Sequence, residues 1–266
     1  MKREMHVAGL FYEADPAQLE KNMQDFFAGQ KREEAVPVRI CMLPHAGHIY
    51  SGKVTAETLA KIKLPRKLII LCPNHTGFGK HGAVWDKGAF QTPLGEVPIE
   101  EDIAETLLKT PCFFRDYRAH IQEHSIEVIL PFLQYQIGKE FAIVPISLAS
   151  LQELPKMAEA MIKCMQEDDE LGLVVSSDMN HFASEKENKR KDFLALDAIR
   201  NMNEKDLLQV VMDNDISMCG GLGAYIGILA AKGLGFQKCE IISYDTSAST
   251  SGDSRRVVGY AGLYFV

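Results

Sequence analysis

Residues 38–75 read VRICMLPHAGHIYSGKVTAETLAKIKLPRKLIILCPNH, and this stretch decides the fold. Two short runs within it, 38–43 and 67–72, are rich in β-branched and aliphatic side chains and end at prolines, which indicates buried strands. Residues 54–63 lie between the runs and predict a crossover helix. Because parallel strands need a long connection of this kind, the segment predicts a βαβ unit and hence an α/β fold.

Apolar runs and helical patterns alternate along the rest of the chain. Asp15-Pro16 is typical of a helix start, and Leu19, Met23 and Phe27 then recur at helical spacing. The sequence contains no repeat or low-complexity linker, so we predict one α/β domain over residues 1–266, with a central mixed or mostly parallel sheet flanked by helices. The further predicted strands are 83–85, 141–148, 172–177, 240–244 and 258–266, and the further predicted helices are 100–109, 124–136, 154–166, 186–201, 204–213 and 220–231.

Composition excludes several classes of protein. The chain is 46% hydrophobic and 24% charged, which is ordinary for a globular domain with a sizeable core. A net charge of −7 without a basic stripe argues against a nucleic-acid partner. The first six residues are not followed by an apolar stretch, and no run reaches the roughly 18 to 20 apolar residues that span a bilayer. We therefore expect a cytoplasmic protein with no membrane partner and with a small-molecule or peptide ligand.

The cysteines do not form a recognisable disulfide pattern. They are far apart and include no C-x-x-C pair, and several lie in or beside apolar runs, where a free thiol packs like a small hydrophobic side chain. We therefore predict free thiols. The six positions are Cys41, Cys72, Cys112, Cys164, Cys219 and Cys239.

Three predicted strands each end in a polar turn that carries a histidine. His45 follows the first strand in PHAG, His75 follows the second in PNH, and His181 follows a later strand in DMNH. Ligands of open α/β sheets bind beyond the carboxyl ends of the strands, so these side chains can converge although they are distant in sequence. A single loop histidine is more often a surface residue, but the recurrence of the pattern favours a metal or acid/base site.

A metal site would need a third ligand beside His45 and His75, and Cys219 is the candidate. It precedes Gly220-Gly221 at the start of a predicted helix, where the helix N-terminus favours the thiolate that binds metals or attacks carbonyls. Imidazole and thiolate together suit iron, copper and zinc. The alternative is an inert buried thiol beside a close packing contact of the glycines.

Two further polar pairs have alternative interpretations. Asp178 is spaced to orient the imidazole of His181 as a general base, or it could simply cap the following helix. Glu123 and His124 could contribute polar groups to the same crevice, or Ser125 and Glu127 could simply start a helix.

Six motifs follow one another along the chain: PHAG (44–47), PNH (73–75), TPLG (92–95), EHSIE (123–127), SSDMNH (176–181) and CG (219–220). Together and in this order they resemble the motifs of the Memo family, also called the protein B component of the AmmeMemoRadiSam group. The resemblance covers nearly the whole chain and implies a fold similar to class III extradiol dioxygenases, which are non-haem iron enzymes. It implies a metal site of His45, His75 and Cys219, with cysteine in place of the dioxygenase carboxylate. His181 would then be the acid/base residue, with Asp178 beside it, and other AmmeMemoRadiSam components would be partners.

Residues near the predicted ligands complete a candidate substrate-binding set. His48 stands where the family commonly has an aromatic residue, so it could add a nitrogen donor or, as we favour, replace a packing contact. The polar segment 244–256 could cover the crevice, and Arg255 or Arg256 could hold an anionic substrate, although such arginines are more often ordinary surface charges. The set is His48, Asn74, Glu123, His124 and Arg255.

Three functional hypotheses follow from these residues. The first is a mononuclear iron or copper protein, with zinc as a further option, that performs redox chemistry on a small organic or modified substrate. The second is a metal-free hydrolase or transferase in which His181 activates Cys219 and Asp178 orients His181. The third is a non-catalytic module that binds a peptide or phosphate. Contact of Cys219 with His45 and His75 would favour the first, and contact with His181 the second.

Overall fold

The computed structural model describes residues 1–30, 34–138 and 140–266. The strands are β1 (Lys2–Arg3), β2 (Val36–Pro37), β3 (Ile40–Leu43), β4 (Ile62–Lys63), β5 (Lys67–Pro73), β6 (Ala83–Val84), β7 (Ala89–Thr92), β8 (Gly95–Pro98), β9 (Phe114–Arg115), β10 (Ala142–Leu148), β11 (Leu171–Ser176), β12 (His181–Ala183), β13 (Cys239–Thr246) and β14 (Val257–Phe265). The helices are α1 (Pro16–Phe27), α2 (His48–Ala60), α3 (Glu101–Leu108), α4 (Arg118–Ile121), α5 (Leu130–Ile137), α6 (Leu154–Glu167), α7 (Glu185–Arg200), α8 (Glu204–Asp213), α9 (Gly221–Gly233) and α10 (Ala248–Ser251).

A large mixed sheet forms the centre of the fold. Its strands follow the order β12-β14-β3-β11-β5-β10-β6-β9, and β13 pairs with β14. The four central strands β3, β11, β5 and β10 are parallel, whereas β14 and β6 run antiparallel to their central neighbours. The prediction of an α/β fold with a mixed sheet is confirmed.

The predicted βαβ unit is present, but its two strands are not neighbours. β11 lies between β3 and β5 and pairs with both of them in parallel. All residues of β11 are buried, so this strand has the apolar character that the centre of a parallel sheet requires. A distant segment of the chain is therefore inserted between the two strands of the unit.

Helices cover both faces of the sheet, and each face has its own core. Along β3, Ile40 and Met42 belong to the core that contains residues of α6, α7 and α9. Cys41 and Leu43 alternate with them and belong to the core that contains residues of α1, α2 and α5. Successive side chains of a strand point to opposite faces, so one short apolar run supplies both cores.

Several element boundaries differ from the predictions. Helix α2 begins at His48 rather than at residue 54, directly after the turn that carries His45. Helix α5 begins at Leu130 rather than at 124, because Ser125 instead donates its backbone N–H and its hydroxyl to the Glu123 carboxylate. The antiparallel pair β7 and β8 was not predicted.

The six cysteines are all free, as predicted. Five of them are buried, and Cys219 is partly exposed. Among the described residues, no helix combines the length and the apolar character needed to cross a membrane.

Candidate metal centre

The carboxyl ends of β3, β5 and β11 meet at one edge of the sheet and carry the predicted site residues. His45 follows β3 and His75 follows β5, and their ring centroids are 5.3 Å apart. Asp178 follows β11, and Cys219 reaches the same place from the segment before α9. The strand-end histidines therefore converge across the inserted strand, although their own strands are not paired.

His45, His75 and Cys219 form a group of suitable metal donors. Their donor atoms all lie within 4.8 Å of one another, and Cys219 Sγ is 3.3 Å from His45 Nε2. Donors around a tetrahedral ion, with bonds of about 2.0 to 2.3 Å, stand about 3.3 to 3.8 Å apart. Two imidazoles and a thiol fit a transition metal ion in this space after a small inward movement.

The hydrogen bonds of His45 fix its tautomer. Ser176 Oγ donates to the Ser125 carbonyl oxygen at 2.7 Å, so it accepts from His45 Nδ1 at 2.8 Å. The proton of His45 is therefore on Nδ1, and Nε2 faces Cys219 with its lone pair. Burial lowers the pKa of His45 to about 3, so the ring is neutral as a metal ligand must be.

A buried carboxylate holds His75 in the same way. Glu123 accepts the Nδ1–H of His75 at 2.8 Å and its backbone N–H at 2.7 Å. Burial opposes ionisation of Glu123, but the hydrogen bonds and charge of His75, with the hydroxyl of Ser125, outweigh burial and lower the pKa of Glu123 to about 2. The carboxylate thus leaves Nε2 of His75 free to bind a ligand, as in many metal sites.

Cys219 lies in an environment that favours the neutral thiol. Burial raises the pKa of Cys219, and the nearby charge of Asp178 raises it further. The backbone N–H of Asp178 donates to Sγ at 3.2 Å. Burial therefore opposes the thiolate that the start of a helix is expected to favour. A bound cation would supply the missing positive charge, since metal coordination deprotonates a thiol.

His181 and Asp178 do not form the predicted pair. His181 donates its Nδ1–H to the carbonyl oxygen of Ser217 at 2.9 Å. The Asp178 side chain instead accepts the backbone N–H groups of His45 and Ala46, at 2.8 and 3.3 Å. The imidazole is therefore oriented by a backbone carbonyl, and Asp178 supports the turn that carries His45.

A cavity of about 620 Å³ opens at these residues. One part of the cavity is lined by the potential ligands His45 and His75, together with His124, Asp178 and His181. Largely aromatic and polar residues line the rest of the cavity. His124 stacks on His75 with ring centroids 4.8 Å apart. The remaining lining residues are Phe11, Ala46, Gly47, Tyr50, Phe182, Ser247, Ser251, Asp253, Arg256, Val258 and Tyr260.

Four of the five predicted substrate-binding residues do not line this cavity, whereas His124 does. Glu123 is buried and instead holds His75 through Nδ1. His48 is buried between Tyr12 and Phe132, and its Nε2–H donates to the Val128 carbonyl at 2.8 Å, so it packs in the core as we favoured. The side chain of Asn74 closes its own turn through the backbone of Gly77 and Phe78. Arg255 pairs with Asp253 and is largely exposed, and its neighbour Arg256 lines the cavity instead.

Sequence reasoning missed the contribution of the N-terminal segment. Phe11 lines the cavity, and its ring packs in a tilted arrangement against His124, with centroids 4.9 Å apart. Its carbonyl accepts the backbone N–H of His48. Next to it, Tyr12 donates its hydroxyl to the buried Glu127, which also pairs with Arg3. The acidic residue at 127, within an otherwise apolar stretch, was the available signal, but its partners lie more than a hundred residues away.

Comparison with known proteins identifies the family. The model of the Memo-like protein family matches residues 3–264. A MEMO1 family protein of Aquifex aeolicus is 39% identical, with 99% of each chain covered. One of Sulfolobus acidocaldarius is 39% identical over 97% of each chain, and one of Methanobrevibacter smithii is 37% identical over the full length of both. The matches cover almost the whole chain, and the structure brings together the histidines and the cysteine of the family motifs. The chain therefore belongs to the Memo family.

Proposed function

We propose that this protein binds one redox-active transition metal ion, iron or copper, through His45, His75 and Cys219, and acts on a small organic or modified substrate in the adjoining cavity. Zinc fits the same donors but would not supply redox chemistry. The observation that carries the proposal is the contact of Cys219 Sγ with His45 Nε2, with His75 within the same donor group.

The hydrogen-bonded partners of the two histidines support this proposal. Ser176 and Glu123 each accept a hydrogen bond from Nδ1–H, so both imidazoles present Nε2 to the donor group. Such outer partners typically raise metal affinity by about 10- to 100-fold. The cysteine hydrolase considered above would require His181, as its base, to contact Cys219. His181 instead donates to Ser217 through Nδ1, and Cys219 contacts His45.

The bound metal would supply a Lewis acid and an electron-transfer centre at this edge of the sheet. The protein residues have separate tasks. His181 faces the cavity and keeps Nε2 free to take a proton from the substrate, because its Nδ1–H is held by Ser217. Phe11 and Tyr260 form part of the wall that limits water around the substrate. Glu123 and Ser176 hold the ligand rings in place.

Elemental analysis of protein purified without oxygen tests the metal assignment. We expect close to one equivalent of iron or copper in the wild type and a loss of it in Cys219→Ser and His75→Ala. Cys239→Ser is the matched control, because this cysteine is buried outside the site. Unchanged metal content in both site variants, after loading with iron or copper, would overturn the assignment.

A second experiment separates this function from the cysteine hydrolase. The alkylation rate of Cys219 by iodoacetamide is measured in metal-free wild type and His181→Ala at neutral pH. We expect equal rates, because His181 does not contact the thiol. His181→Ala should also keep its metal content. A slower alkylation in this variant would assign His181 as the base of Cys219 and contradict our proposal.

A further inference from the structure

A chain of hydrogen-bonded, buried polar side chains extends from the segment around His181 into the core, and the proposed metal site does not use it. Asn188 and Asp192 on α7 are fully buried, and Asn180 is nearly so. Tyr244 on β13 reaches the same cluster. Burying polar groups costs free energy unless each is paired, so a cluster of this size in the core calls for a specific role.

Asp192 sets the direction of the hydrogen bonds. An ionised carboxylate only accepts, and Asp192 accepts the backbone N–H of Asn180 at 2.7 Å, the side-chain N–H of Asn188 at 3.0 Å and the Tyr244 hydroxyl at 2.7 Å. Because the Nδ2 group of Asn188 faces the carboxylate, its Oδ1 faces the other way. This oxygen accepts the side-chain N–H of Asn180 at 2.7 Å.

The orientation of the Asn180 amide in turn determines which of its atoms faces Ser217. With its Nδ2 donating to Asn188, Asn180 presents Oδ1 to Ser217 and accepts its backbone N–H at 3.0 Å and its hydroxyl at 3.3 Å. Because the Ser217 hydroxyl directs its hydrogen at Asn180, its Oγ accepts the backbone N–H of His181 at 2.8 Å. The Ser217 carbonyl, which can only accept, takes the Nδ1–H of His181 at 2.9 Å. Every donor in the chain meets an acceptor in only this orientation of the two amides.

The backbone of β14 is shaped around this chain. Gly259 donates its N–H to the Asn180 carbonyl at 3.0 Å and accepts the N–H of Met179 at 2.9 Å. A Cβ at Gly259 would collide with Asp192 Oδ2 and would lie 3.1 Å from Asn188 Nδ2. The absence of a side chain at Gly259 therefore allows the Asp192 carboxylate to pack directly against the backbone of β14.

We propose that Asp192 is a positioning residue which, through Asn188, Asn180 and Ser217, determines the tautomer and ring orientation of His181. The inference rests on the proposed proton-transfer role of His181 for its functional meaning. The chain holds the Ser217 carbonyl against Nδ1 and so keeps Nε2 as the acceptor toward the cavity. Asp192 itself acts only through these neighbours.

The test uses Asp192→Asn, which preserves shape but turns one acceptor oxygen into a donor. The new amide N–H must then face a donor of Asn180 or Asn188. The side-chain amides of this hydrogen-bonded series therefore no longer have one preferred orientation. Tyr244→Phe is the matched control, because it removes one donor to the same carboxylate without reversing any bond. The readout is the tautomer of His181 in metal-free, full-length protein labelled with ¹⁵N-histidine, observed by NMR at about pH 8, where imidazole is neutral.

We expect His181 to carry its proton on Nδ1 in the wild type and in Tyr244→Phe. In Asp192→Asn, the ratio of Nε2–H to Nδ1–H forms should rise about two- to tenfold, the equivalent of one net hydrogen bond. An unchanged ratio in folded Asp192→Asn would overturn the proposal. If that variant does not fold, Asn188→Ala, which removes the link between Asp192 and Asn180, must raise the ratio or the proposal fails.

The outcome is independent of the metal assignment. The tautomer is observed without metal, so a wild type that binds no iron or copper would refute the proposed function and leave this result standing. Conversely, normal metal content with an unchanged His181 tautomer in the variants would refute only the role of Asp192.

Discussion

The substitution Gly220→Ala tests whether close packing of the segment before α9 places Cys219 in the donor group. Gly220 donates its backbone N–H to Ser177 Oγ at 3.0 Å, at the end of β11. A Cβ added at Gly220 would lie 2.6 Å from the Ser176 carbonyl oxygen and 2.6 Å from Ser177 Oγ, and it would collide with Ser177 Cβ. The alanine methyl group therefore cannot enter without movement of the backbone.

The size of the movement follows from these contacts. Ordinary carbon–oxygen contacts are about 3.3 to 3.6 Å, so the segment must move by roughly 0.8 Å. Overpacking of this kind costs about 1 to 3 kcal/mol, which lowers the Tm of a chain of this length by about 2 to 12 °C. A site group must be held within about 0.5 Å to function, so Cys219 would leave the donor group and metal affinity should fall about 10- to 100-fold.

Gly221→Ala is the matched control for this prediction. No described atom lies within 4 Å of a Cβ added at Gly221, which is the first residue of α9. Replacing a helical glycine by alanine stabilises by up to about 1 kcal/mol, so its Tm should rise or stay level. Metal affinity is measured by chelator competition and Tm by calorimetry. Wild-type affinity and Tm in Gly220→Ala would refute the idea that this close approach places Cys219.

Three further predictions concern the support of the site and the core. Ser176→Ala removes the acceptor of His45 Nδ1–H, so metal affinity should fall about 10- to 100-fold in chelator competition while circular dichroism stays unchanged; equal affinity would contradict the assigned tautomer. Burial raises the pKa of Glu127, but the Arg3 guanidinium and other hydrogen bonds outweigh burial and hold this pKa below its usual 4.5. The ionised carboxylate therefore stabilises the fold above pH 4.5, and this contribution is lost as the pH falls below that value. Glu127→Gln should therefore lower the free energy of unfolding by about 3 to 5 kcal/mol at neutral pH. In urea titrations at decreasing pH, the variant should lose less of its remaining stability than the wild type does. An equal loss would show that the acid sensitivity arises from other groups. Leu71→Ala in β5 should cost about 2 to 5 kcal/mol by the same titration, and a loss under 1 kcal/mol would mean that the core around it collapses readily.

The sequence by itself determined the class of the fold and the main members of the site. The apolar runs of β3, β5 and β11 are local patterns, and two residues after each strand stands a polar side chain, His45, His75 or Asp178. A sheet edge bearing these residues could therefore be predicted without knowing the topology. Cys219 was a candidate ligand from its place at the start of a predicted helix, and the family motifs then implied that it shares a metal site with the two histidines.

Only the tertiary structure decided how these residues are paired. Ser217 rather than Asp178 orients His181, and Cys219 contacts His45 from 174 positions away. The insertion of β11 between β3 and β5 could not be read from their spacing either. The physical reason is that periodicity and turn chemistry act over a few residues, whereas hydrogen-bond partners across the sheet edge are selected by packing of segments that are remote along the chain.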